Sequence, residues 1–201
     1  MENENTSNSN TTEISNRDWY EKFNNKSWRC LLNSIGIEYN NNNNNNSNDE
    51  RFLQSLVNDM KKVLPHNIDD INEGKCDLRI PRIIAIISDV SRCLDGSWII
   101  KLIDPSSKTG IISYVSKECE AVHEGLLVEG NSILLENCSI FVSKKPFNRM
   151  INVVKRNIIA IYTSNNIELK KNENGNISNI SLENKDIACQ EPRNKEKKSI
   201  D

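Results

Sequence analysis

The residues best suited to chemistry lie in a short stretch near the start of the last third of the chain. Positions 144–156 hold Lys144, Lys145, Arg149, Lys155 and Arg156 and no acid, with Phe147 among them. Cations beside an aromatic ring suit a single nucleic-acid strand: the cations meet phosphates and the ring stacks on a base. Further candidates precede them: Arg92, Trp98, Lys101 and Tyr114. Lys144 and Lys145 also read as ordinary hairpin charges, and Tyr114 as a residue of either face. Trp98 shares one strand face with Ile100 and Leu102, opposite Ile99, Lys101 and Ile103. Both faces are apolar, so alternation leaves Trp98 open between core and groove.

Catalysis has little to stand on. His66 and His123 are the two histidines, and neither adjoins a nucleophile with a matching acid. No GxxxxGK[ST] or GxGxxG phosphate loop occurs. Asp95 and Asp104 end strands at turns, where side-chain hydrogen bonds to the backbone explain them. The six cysteines (Cys30, Cys76, Cys93, Cys119, Cys138 and Cys189) form no CxxC pair. No metal site, cofactor or small-molecule substrate is therefore expected. The chain reads as a non-enzymatic protein of a reducing compartment.

Composition limits how much of the chain can build a core. It has 201 residues, a formal net charge of −2 and a pI near 5.8, so any basic footprint is local. Residues 1–16 are polar, Asn40–Asn46 is an unbroken asparagine run, and 164–201 is charged with scattered Ile and Leu. These segments read as disordered, with the linker spanning 39–48. No apolar run is long enough for a secretory leader or a membrane span.

Positioning elements fall in two regions. In 17–75, Trp19, Phe23, Trp28, Leu31, Leu32 and Ile35 repeat at helical spacing, and Phe52 to Leu64 repeats likewise. Two amphipathic helices are expected, followed by a loop over 66–75. Packing on a neighbouring domain accounts for the first six residues. The alternative is a docking helix for a partner protein. From 78 to 163 the texture changes to short β-branched runs. Strands are expected at 82–92, 98–104, 110–116 and 132–143, with a short helix over 117–124 and a loop over 144–148. A fifth strand runs through 150–154 and 158–162, interrupted near Asn157. Three strands, a helix and two strands is the order of the five-stranded Greek-key barrel called the OB-fold. Its ligands usually cross strands 2 and 3 between the 1–2 and 4–5 loops, and the 4–5 loop is the basic stretch above.

Three blocks in this region resemble the homologous recombination OB-fold protein family. The first is Ile80-Pro-Arg-Ile83, then 98–104 with Pro105 and the Lys108-Thr-Gly110 turn. The second is the Gly130-led apolar strand within 126–135. The last is 141–143 followed by Ile151-Asn-Val-Val154, Asn157 and Ile161-Tyr162. The resemblance covers about 78–163. It implies binding of single-stranded DNA, and recruitment or stimulation of a hexameric helicase of the minichromosome-maintenance type in recombinational repair. A nuclear location follows, and Arg193, Lys195, Lys197 and Lys198 form a weak basic patch for it. Fold alone leaves alternatives open: a protein-binding adaptor without DNA affinity, a subunit of a replication or telomere single-strand-binding complex, or an RNA binder.

Overall fold

The computed structural model describes residues 16–39, 49–119, 125–144, 147–164, 167–171 and 177–181. Helices α1 (Asn16–Lys22), α2 (Lys26–Ser34), α3 (Asp49–Val63) and α4 (Ile68–Asn72) precede eight strands. These are β1 (Arg79–Arg92), β2 (Trp98–Asp104), β3 (Ser107–Val115), β4 (Ser132–Lys144), β5 (Phe147–Val153), β6 (Ile158–Tyr162), β7 (Ile167–Lys171) and β8 (Ile177–Ser181).

The barrel closes through five of them. β1 pairs antiparallel with β2, β2 with β3, and β4 with both β5 and β1, while β3 and β5 run parallel. This is the expected OB-fold closure. The inward side chains alternate along every strand: Ile100, Ile111, Val115, Ile133, Ile140, Ile151 and Val153 are all buried in one cluster. The 14-residue β1 serves two neighbours, β4 along its first half and β2 along its second. Its pairing with β4 skips Pro81, which has no N–H to give, opposite Asn137. Asn137 has φ of +54°, the one positive value outside glycine among the described residues. There β4 changes partner from β6 to β5. Asn157 pins the fork: its Nδ2 donates to the carbonyls of Glu136 (2.8 Å) and Asn137 (2.9 Å), and its Oδ1 accepts from the Val154 N–H (2.9 Å).

Several elements differ from the sequence pattern. The first expected helix is two, because Asn25 starts a new one by accepting the Trp28 N–H on its side chain. The expected loop at 66–75 contains α4, fixed by a reciprocal capping box between Asn67 and Asp70. Of the helix expected over 117–124, Lys117–Cys119 is a 3-10 turn and 120–124 lies outside the described residues. The interrupted fifth strand is two strands on different neighbours, with a 3-10 turn, Lys155–Asn157, between them. β7 and β8 continue the sheet from β6 where the polar tail showed no strand pattern.

The helices pack on the outside of the barrel against β1, β2, β4 and β6. Trp19, Phe23, Trp28, Leu31 and Leu32 are buried against Ile84, Ile86, Ile103, Leu134, Ala160 and Tyr162, and Leu53, Leu56 and Met60 of α3 complete the cluster. Edge-to-face ring pairs link Trp19 to Phe23 (5.1 Å) and Phe23 to Trp28 (5.4 Å). Ser27 of α2 anchors the seam, donating to the Gly130 carbonyl at 2.8 Å and meeting the Ser132 hydroxyl at 2.9 Å. α4 closes one end of the barrel with Ile68 and Ile71, which belong to the interior cluster.

Candidate functional site

The rest of the barrel's outside carries no helix among the described residues. Register pairing places Asp89, Lys101, Ile112, Met150 and Phe141 side by side across β1, β2, β3, β5 and β4. The adjoining row is Ser91, Ile99, Tyr114, Asn152 and Ser139. Paired residues point the same way, and on β2, β3 and β5 the alternate residues Ile100, Leu102, Ile111, Val115, Ile151 and Val153 belong to the buried interior cluster. Phe141 is 55% exposed, Ile112 39% and Ile99 38%, so the surface is apolar at its centre. The two rows hold one cation, Lys101, and one anion, Asp89, as direct register partners. Its formal charge is therefore balanced, where the sequence pointed to a basic surface.

The predicted residues separate into three places. Lys101 and Tyr114 stand on this outer face. Arg92 and Trp98 pair at the end of the β1–β2 hairpin, with the Arg92 guanidinium 5.3 Å from the Trp98 ring centre. Trp98 lies opposite Val115 on the inward side and packs half-buried on the interior cluster. Its Nε1–H is buried and meets no acceptor among the described residues. Core packing thus accounts for the Trp98 ring. Lys155 and Arg156 are exposed at that same end. They sit in the 3-10 turn after β5, not on a strand as expected.

The basic stretch does not form one loop. β4 and β5 are a hairpin whose last register pair is Lys144 with Phe147, and Lys145 lies outside the described residues. Arg149 pairs with Val142 on the side of this ribbon opposite Phe141 and Met150. Its guanidinium lies against Gly74, where an added Cβ would come within 2.7 Å of Nη2. Arg149 therefore faces the link from α4 to β1 rather than the outer face. The apolar stripe of the first helices packs on the barrel, the first of its two readings. Trp19, Phe23, Trp28, Leu31 and Leu32 are buried and Ile35 is half-buried against the same cluster, so they hold the helices to the barrel. Sequence reading missed Phe141, Met150, Ile112 and Ile99. The run Ile140-Phe-Val142 looks uniformly apolar, and only the register separates inward Ile140 from outward Phe141.

Below this face a buried carboxylate braces the barrel's closed end. Asp104 is fully buried and accepts from the Ile68 N–H (2.8 Å), the Ser106 N–H (2.9 Å) and the Ser106 hydroxyl. Burial raises its pKa to about 6, and the three donors oppose that rise. Gly110, opposite, has φ of +67° and lies so close to β2 that a Cβ would sit 2.5 Å from the Leu102 carbonyl oxygen. Burial likewise pushes the Cys138 thiol to about 12 and the Cys119 thiol to about 11, which leaves both protonated and poorly nucleophilic.

The closed barrel, its Asp-Pro turn and the Asn157 fork all fall in one segment. Residues 78–165 match the model of the homologous recombination OB-fold protein family. The matched span starts one residue before β1 and ends three past β6. It contains both rows of the outer face and leaves the four helices outside. No curated protein matches the chain. The match is to an OB-fold protein family of homologous recombination, and it suggests a binding role for the barrel.

Proposed function

We propose that this protein is an accessory factor of homologous recombination. It holds single-stranded DNA on the uncovered barrel face and brings a hexameric helicase of the minichromosome-maintenance type to that strand, acting in the nucleus. One observation carries the DNA reading: an uncovered face across β2 and β3, with exposed ring and apolar side chains beside Lys101, in a barrel that matches a recombination family. Exposed apolar residues in a row mark a contact surface, and rings among them suit bases. Basic residues flank the face at one end, with Arg92, Lys155 and Arg156. The helicase partner and the nuclear site rest on the family resemblance alone.

The test is fluorescence anisotropy of labelled oligo-dT with the full chain and with Lys101→Ala/Tyr114→Ala. Micromolar binding, weakened at least tenfold by the double substitution, is expected. Absence of binding at low salt would overturn direct DNA contact. An adaptor would then be favoured by the charge-balanced apolar face, which would dock protein instead. Co-purification with the helicase checks the partner separately.

A further inference from the structure

We infer that the barrel face grips the bases of a single strand rather than its phosphates, with Phe141 and Tyr114 as the two stacking platforms. The inference rests on the DNA-binding reading above and specifies its chemistry. The sequence concentrates cations at 144–156, which predicts a phosphate-dominated site. The fold disperses that stretch: Arg149 turns to Gly74, and Lys155 and Arg156 leave for the far end of β5. Among the described residues of the two rows, what remains is one lysine, matched by Asp89.

Phe141 sits on β4 and Tyr114 on β3, with β5 between them, and they lie one row apart. Two strand spacings and two residues of rise put them about 12 Å apart. Bases that leave one another's stack to lie on protein rings let one strand bridge that interval. Ile112 and Met150 fill the interval with apolar surface, over which intervening bases can lie flat. Asn152 and Ser139 add the few hydrogen-bonding groups of the second row, too few to read a sequence. A duplex keeps its base faces in the stack and cannot lay them on these rings, so the site selects unpaired strands.

The decisive probe pair is oligo-dT and an abasic strand of equal length, which keeps the phosphates and lacks the bases. Both are titrated with the full-length protein across a salt series. Expected results are a loss of at least tenfold for the abasic strand and a log–log salt slope shallower than about −2, since each phosphate contact on a single strand contributes about −0.7. Phe141→Leu and Tyr114→Leu keep an apolar side chain and remove the ring. Each should weaken oligo-dT binding roughly tenfold or more and leave the abasic strand unaffected. Phe141→Trp should restore affinity. Comparable affinity for both strands, or a slope of −2 or steeper, would overturn base gripping while leaving DNA binding intact. Loss of binding to both strands in the unsubstituted protein would overturn the DNA reading itself.

Discussion

Asp104 makes the protein's stability fall as pH rises from 4 to 7. Its carboxyl is fully buried and titrates near 6, against an ordinary value of 3.8. The folded chain therefore holds this proton more tightly than the unfolded chain does. The associated stability is fully present below pH 3.8 and is lost as pH rises through 6. Integrated between pH 4 and pH 7.5, the effect is about 2 kcal/mol. Other carboxylates shift the pH profile too, so the wild type alone cannot isolate Asp104. Asp104→Asn can, because the amide does not titrate. It also presents an NH2 to one of the two backbone N–H groups, those of Ile68 and Ser106, at a cost of about 1–3 kcal/mol at any pH. Urea unfolding of both proteins at pH 4 and pH 7.5 provides the assay. The variant should lose more stability relative to wild type at pH 4, by about 2 kcal/mol. With an m-value of about 2 kcal/mol/M, that is a change of about 1 M in the difference between midpoints. An equal difference at both pH values would refute the claim that burial governs this carboxyl.

Two more substitutions test the packing. Trp28 is completely buried, with an Nε1–H that meets no acceptor among the described residues. Trp28→Ala should cost about 3–5 kcal/mol by thermal or urea unfolding, whereas Trp28→Phe, which sheds the unmet donor, should cost far less. Gly110→Ala forces a left-handed backbone on alanine and drives its Cβ into the Leu102 carbonyl. A loss above about 2 kcal/mol is expected in the same assay, and a near-neutral result would mean that β2 and β3 do not approach so closely.

Local signals in the sequence were enough for the barrel. Strand lengths, turn residues such as Asp95-Gly96 and Asp104-Pro105, and the apolar runs between them define five strands in OB-fold order, because these patterns act within a few residues of one another. They also found the helical spacing of Trp19 to Ile35. Short caps were harder: α4 depends on Asn67 and Asp70 bonding each other and on Asp104, which is 36 residues away from Ile68. The site was legible only in part. Lys101 and Tyr114 stand on the face, yet Arg149 turns away from it, and Phe141, which no sequence signal singles out, stands on it. A strand's side chains alternate, so composition gives two possible faces, and the closure of β3 on β5 and of β4 on β1 decides which one meets solvent. The same closure turns Arg149 toward Gly74 and leaves Lys155 and Arg156 in the turn beyond β5, so three cations of one continuous stretch do not share a surface. Trp19, Phe23 and Trp28 show the matching limit: helical periodicity revealed an apolar stripe, and only the strands beneath it determined that the stripe is covered by the protein itself.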